Sequence, residues 1–274
     1  MSVDVLGVHG VGNWQRSAPT DSAISLGRKW SESLGMASVA AAYYAHHLRL
    51  DHQGGDDLDL LDRTLGGAPA ELLAGWMRKL GWGDEAAQGR ALAPIRQLAS
   101  WWVRRFGVES RVVDQFLGTF LGEVVRYFDP YNPFRRQAVR TEVATAMSSH
   151  RPRIVIAHSL GSVVAYETLW AYPTLRVELL VTVGSPLALP DRIHPLLQPT
   201  PIGGMGRRPP GVRRWVNIAD PADLVAIPAG LAGHFHEVDA DMTIPAGPLF
   251  THAVASYLAS ERLRDIVHQH LAGC

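Results

Sequence analysis

Apolar residues fall in two registers along this chain. Short, largely apolar runs, bounded by glycine, proline or polar turns, occupy residues 3–8, 37–44, 153–157, 177–183 and 215–219, and 234–238 is a further strand candidate. Their length and their flanks predict buried strands. Between them apolar positions recur at helical steps. Ile24, Leu26, Trp30 and Leu34 predict a helix over 20–34, and 160–170 and 251–269 predict two more. Strand, helix and strand in succession predict an α/β fold with a mostly parallel central sheet and helices on both faces. The last strand expected is 234–238, and the closing helix is 251–269.

The texture changes over residues 52–149. A polar, glycine-rich stretch is followed by amphipathic segments. The strongest has Val112, Val113, Phe116, Leu117, Phe120, Leu121, Val124, Val125 and Phe128 at steps of three and four, and Pro130 and Pro133 end it. Another helix is expected after Pro133. The reading is one domain over 1–274, with 52–149 as a mainly helical insertion placed to act as a cap or lid. Trp76, Trp82, Trp101 and Trp102 lie in this insertion. They read first as core packing, and second as the lining of an apolar cleft. An exposed insertion face would also suit self-association.

Composition narrows the classes. Lys plus Arg equals Asp plus Glu at 26 each, so no broad basic field favours nucleic acid. The single cysteine, Cys274, allows neither an internal disulfide nor a thiolate metal site within one chain. No stretch reads as a signal peptide or a membrane span, so a cytoplasmic location is expected.

Chemistry gathers at "IAHSLGSVVAY". Ser159 stands between a predicted strand and a predicted helix, with Ala157 and Gly161 two residues to either side. A serine there can simply cap the helix. Small residues on both sides point instead to a tight turn that presents the serine at the strand's carboxyl end. Leu160 would then offer a backbone N–H to a developing negative charge. A serine hydroxyl needs a base. Asp223, in "VNIADPADLVAI", and His252, in "GPLFTHAVASYL", follow in that order on other loops. Asp220, three residues earlier in the same turn, competes for the acid. His234, His236 and His194 compete for the base. His234 and His236 with Glu237 or Asp239 could be read as a metal arm, but nothing else completes a geometry, so no metal or other cofactor is expected. His158 reads as packing under the turn, and His9 and Asn13 as holding a glycine-rich loop.

These stretches resemble the α/β-hydrolase superfamily, within its lipase, esterase and thioesterase-like members. "AHSLG" matches the G-x-S-x-G elbow with Ala157 in place of the first glycine, and "VTVGSPL" resembles the strand after the nucleophile helix. "VLGVHGVGN" looks like the segment that supplies the second oxyanion N–H. The resemblance assigns that N–H to Val11 or Gly12, beside Leu160. It matches Ser159, Asp223 and His252 to the family's triad, and covers roughly residues 3–50 and 150–258. It implies a serine hydrolase that cleaves a carboxylic ester or thioester through an acyl-enzyme. The same groups would serve a peptidase, amidase, acyltransferase or cyclase, so the expected partner is a small-molecule acyl ester, thioester or amide. A binding or assembly protein on the same fold is the contrasting class.

Overall fold

The computed structural model describes residues 3–49, 110–189, 193–244 except 222, 224, 227 and 229, and 252–273. Most of the expected insertion, with Trp76, Trp82, Trp101 and Trp102, therefore lies outside the described residues. The strands are β1 (Val5–Val8), β2 (Ala40–Ala42), β3 (Ile154–His158), β4 (Val177–Val183), β5 (Gly206–Arg207), β6 (Val212–Ala219), β7 (Phe235–His236) and β8 (Ala240–Thr243). The helices are α1 (Pro19–Leu34), α2 (Ser110–Tyr127), α3 (Pro133–His150), α4 (Leu160–Ala171), α5 (Val254–Leu258) and α6 (Glu261–Ala272).

Six strands form one sheet in the order β2-β1-β3-β4-β6-β8, and every pairing in it is parallel. A parallel sheet buries both faces, which accounts for the unbroken apolar runs of β1 and β3. Alternate residues enter two cores. Leu6, Val8, Val155 and Leu180 pack with Phe120 and Val124 of α2, Val139, Val143 and Met147 of α3, and Val164 of α4. Val5, Ile154, Ile156 and Val216 pack on the other side with Trp30 of α1, Tyr257 of α5 and Val267 of α6. The result is a three-layer α/β/α arrangement.

Helix ends follow local chemistry. Pro19 opens α1, and Gly35 closes it in the left-handed conformation at φ 73°. Pro133 opens α3 in the same way. That helix is core: its buried face belongs to the sheet packing, although the sequence grouped it with the insertion. A buried polar knot ties α2 and α3 to α4. Arg136 pairs with Glu167, which also accepts from the Tyr127 hydroxyl at 2.7 Å and the Gln198 N–H at 3.0 Å.

Two expectations need correction. Residues 234–238 do not close the sheet, because among the described residues β7 pairs with β5 in a separate two-stranded sheet. The edge strand is β8, whose residues alternate between half-buried and exposed. The closing helix is two helices, broken where Ser260 caps α6 by accepting the Leu263 N–H at 3.3 Å. His252 precedes both helices.

Strand order prepares the site. From β1 the chain moves outward to β2, then returns to β3 on the other side of β1. The carboxyl ends of β1 and β3 therefore flank a topological switch point, where open α/β sheets form ligand crevices. In register, Val8 faces Ala157, so the loop after β1 emerges beside the turn after β3.

Candidate active site

The turn after β3 is tight and strained. Ser159 has φ 53° and ψ −132°, a conformation rare outside glycine. Holding it there costs on the order of 1–3 kcal/mol. The chain can close so sharply because position 161 is glycine: a Cβ there would overlap the carbonyl oxygens of Val8 and His9. Gly10 is needed for the same reason, since its Cβ would lie 2.6 Å from that of Ser159.

The Ser159 hydroxyl does not cap α4. It lies 2.8 Å from His252 Nε2. His252 Nδ1 lies 2.8 Å and 3.0 Å from the two oxygens of Asp223. With Nδ1 protonated toward the carboxylate, Nε2 is left to accept the serine proton. All three residues are buried, and Ser159 is 0% exposed.

Asp223 rather than Asp220 reaches the histidine. Its oxygens also accept the Tyr257 hydroxyl at 2.7 Å and the Val225 N–H at 2.9 Å. Burial pushes this carboxyl up, but His252 and these two donors outweigh it and hold it below the usual carboxylate range. Tyr257 serves both acids, because its oxygen accepts the Asp220 N–H at 3.0 Å. Burial and the adjacent carboxylate push the phenol up, so it stays a donor.

The loop after β1 is held through its carbonyls. Gly10 O lies 2.7 Å from His9 Nδ1 and accepts from Asn13 Nδ2 at 3.0 Å. Asn13 Nδ2 also donates to Val11 O at 3.1 Å. His9 Nε2 accepts the Tyr44 N–H at 3.2 Å, so the proton is on Nδ1, and the Tyr44 hydroxyl donates to His9 O. Burial lowers His9 to about 4 and keeps the ring neutral. A trans peptide points its N–H opposite its carbonyl. Anchoring Gly10 O therefore turns the Val11 N–H the other way, and among the described residues it has no acceptor. The Gly12 N–H is different: it donates to Glu123 Oε1 at 2.9 Å. Leu160 begins α4, so its N–H has no acceptor within the helix.

The other histidines divide plainly. His158 Nε2 lies 3.0 Å from the His252 carbonyl oxygen, and burial lowers that ring to about 3, so it supports the His252 backbone as a neutral donor. His194 Nε2 lies 3.3 Å from the His234 carbonyl oxygen. Asp239 is engaged by Arg208 and by the Trp215 N–H, both at 2.7 Å. Among the described residues one group could hold a cation: His46, His47 and Glu142, with donor atoms within 4.8 Å of one another. His47 Nε2 and Glu142 Oε2 there approach to 3.6 Å.

Sequence reasoning missed Tyr257 and Glu123. The signal for Tyr257 was its place five residues after His252 on a helix start. Glu123 interrupts an otherwise apolar helix face, and that was its signal. No described helix is long and apolar enough to cross a membrane. Compared with protein-family models, curated proteins and solved structures, the chain matches none of them.

Proposed function

We propose that this chain is a serine hydrolase of the α/β-hydrolase type, cleaving a carboxylic ester or thioester through an acyl-enzyme. The observation that carries the reading is the continuous chain from Ser159 through His252 to Asp223, on a serine whose backbone is strained. A helix cap would need neither the strain nor the histidine. A binding-only role leaves three buried polar groups assembled without a use, at a cost in desolvation.

In the proposed reaction Ser159 Oγ attacks the acyl carbonyl carbon while His252 Nε2 takes its proton. Asp223 holds His252 in the required tautomer and stabilises the imidazolium. The negative charge that develops on the carbonyl oxygen is met by the Val11 and Leu160 N–H groups. Between the two loop candidates, commitment of the Gly12 N–H to Glu123 favours Val11. His252 then protonates the leaving group, and water repeats the sequence on the acyl-enzyme. Amide cleavage or acyl transfer would use the same groups, and product analysis separates them.

The test is hydrolysis of a graded panel of p-nitrophenyl esters and acyl thioesters by wild type and Ser159→Ala. Turnover by wild type and a loss of at least about 10³-fold in the variant is expected. Equal rates in the two would refute the reading.

A further inference from the structure

Glu123 is a carboxyl inside the roof of the site. It is 5% exposed, on α2. Thr119 and Phe120 lie four and three residues before it, so the three share one helix face. That face looks onto the site. The Phe120 ring meets His252 edge-on at 6.2 Å, and Thr119 Cγ2 is the nearest atom to where a Cβ on Gly12 would point, at 3.7 Å. Glu123 Oε1 takes the Gly12 N–H, while Oε2 is buried without a hydrogen-bond partner among the described residues.

The two protonation states of this carboxyl have opposite consequences. Neutral, it accepts from Gly12 without adding charge. Ionised, it places a negative charge 2.9 Å from the Gly12 nitrogen, on the residue next to the Val11 N–H. That charge opposes the oxyanion the N–H is meant to meet. We propose that Glu123 is a positioning residue of the oxyanion loop that works in its neutral form, fixing Gly12 so that the Val11 N–H faces the substrate carbonyl. The proposal rests on the serine-hydrolase reading above.

The surroundings favour that form at neutral pH. Burial raises Glu123 to about 8, and the Gly12 N–H and Arg126 on the same helix offset only part of the rise. From the segment after β2 the facing group is Tyr44, a phenol itself pushed well up and already donating to His9 O. His9, in the loop after β1, is neutral. Among the described residues, Arg126 is the positive charge acting on Glu123.

The experiment is the pH profile of kcat/KM for a soluble ester between pH 6 and 10, in wild type, Glu123→Gln and Glu123→Ala. Folding is checked by circular dichroism, and fluorophosphonate labelling is run in parallel. Wild type should lose activity above about pH 8. For a charge held one residue from the oxyanion donor the loss should be on the order of tenfold or more. Glutamine mimics the neutral carboxyl, so E123Q should run a few-fold slower at pH 7 and lack the alkaline fall. E123A should lose kcat at every pH with little change in KM. A wild type with a flat profile from pH 7 to 9, or an alkaline fall that persists in E123Q, would overturn the inference while leaving the hydrolase reading intact. A wild type that takes no label and hydrolyses no ester would overturn both.

Discussion

Tyr257→Phe isolates one hydroxyl at the base of the site. The ring, on α5, is fully buried in the core that α1 and α6 form against the sheet, so phenylalanine keeps the apolar contacts. What is lost is a donor to Asp223 at 2.7 Å and an acceptor for the Asp220 N–H at 3.0 Å. A hydrogen bond to a charged group contributes about 1.5–3 kcal/mol, and depriving a buried N–H of its acceptor costs about 1–3 kcal/mol. Relief from desolvating the hydroxyl offsets part of this, which leaves about 2–4 kcal/mol of destabilisation at pH 7. The loss should also depend on pH. Asp223 titrates below its unfolded value of 3.8, so its interactions contribute stability above that value and lose it as pH falls through the native one. Removing a donor shrinks that contribution, so the gap between variant and wild type should narrow as pH falls below 3.8. Urea unfolding at pH 7, and at successively lower pH while the fold persists, reads both effects. The His252–Asp223 contact survives the change, so kcat should fall only about tenfold, against about 10⁴ for a wrong histidine tautomer. A destabilisation under about 0.5 kcal/mol at pH 7, the size of a neutral surface change, would refute the reasoning.

Gly161→Ala would push a methyl into the Val8 and His9 carbonyl oxygens, backbone that cannot yield. Destabilisation of at least about 2 kcal/mol is expected by chemical denaturation, with loss of ester turnover. Glu167→Ala would strand Arg136, whose side chain is 12% exposed, and release Tyr127 and Gln198. A loss of about 3–5 kcal/mol is expected by the same measurement. His9 and His158 are buried neutral, with values lowered to about 4 and about 3 from 6.5. Their stability is fully present above pH 6.5 and is lost as pH falls toward those lowered values. His9 alone should withdraw about 3 kcal/mol by pH 4. Thermal unfolding from pH 7 to 4 should show a marked fall in Tm, and His9→Asn should make it shallower while leaving the share due to His158.

Much of the architecture was legible because burial on two faces writes unbroken apolar runs. Val177–Val183 is a strand with the bounds its composition suggests, and β1 and β3 differ from expectation by a few residues at their ends. The edge strand Ala240–Thr243 was not legible. With one side open its residues alternate, and Asp241 stands where a central strand would carry an apolar residue. That aspartate is instead used by the Asn217 side chain and by the N–H groups of Leu231 and Ala232. The break at Ser260 was hidden because apolar spacing continues across it. At the site, spacing and chain order pointed to Ser159, Asp223 and His252. The Glu123–Gly12 contact spans 111 positions, and only folding α2 over the loop brings it together.

The central claim is that Ser159 is an activated nucleophile. The most direct measurement is labelling of native protein with a fluorophosphonate, read by intact mass and by mapping the modified peptide, in wild type and Ser159→Ala. One adduct on wild type, located at Ser159 and absent from S159A, is the predicted result. Native protein that takes no adduct, or an adduct that persists in S159A, would contradict the account.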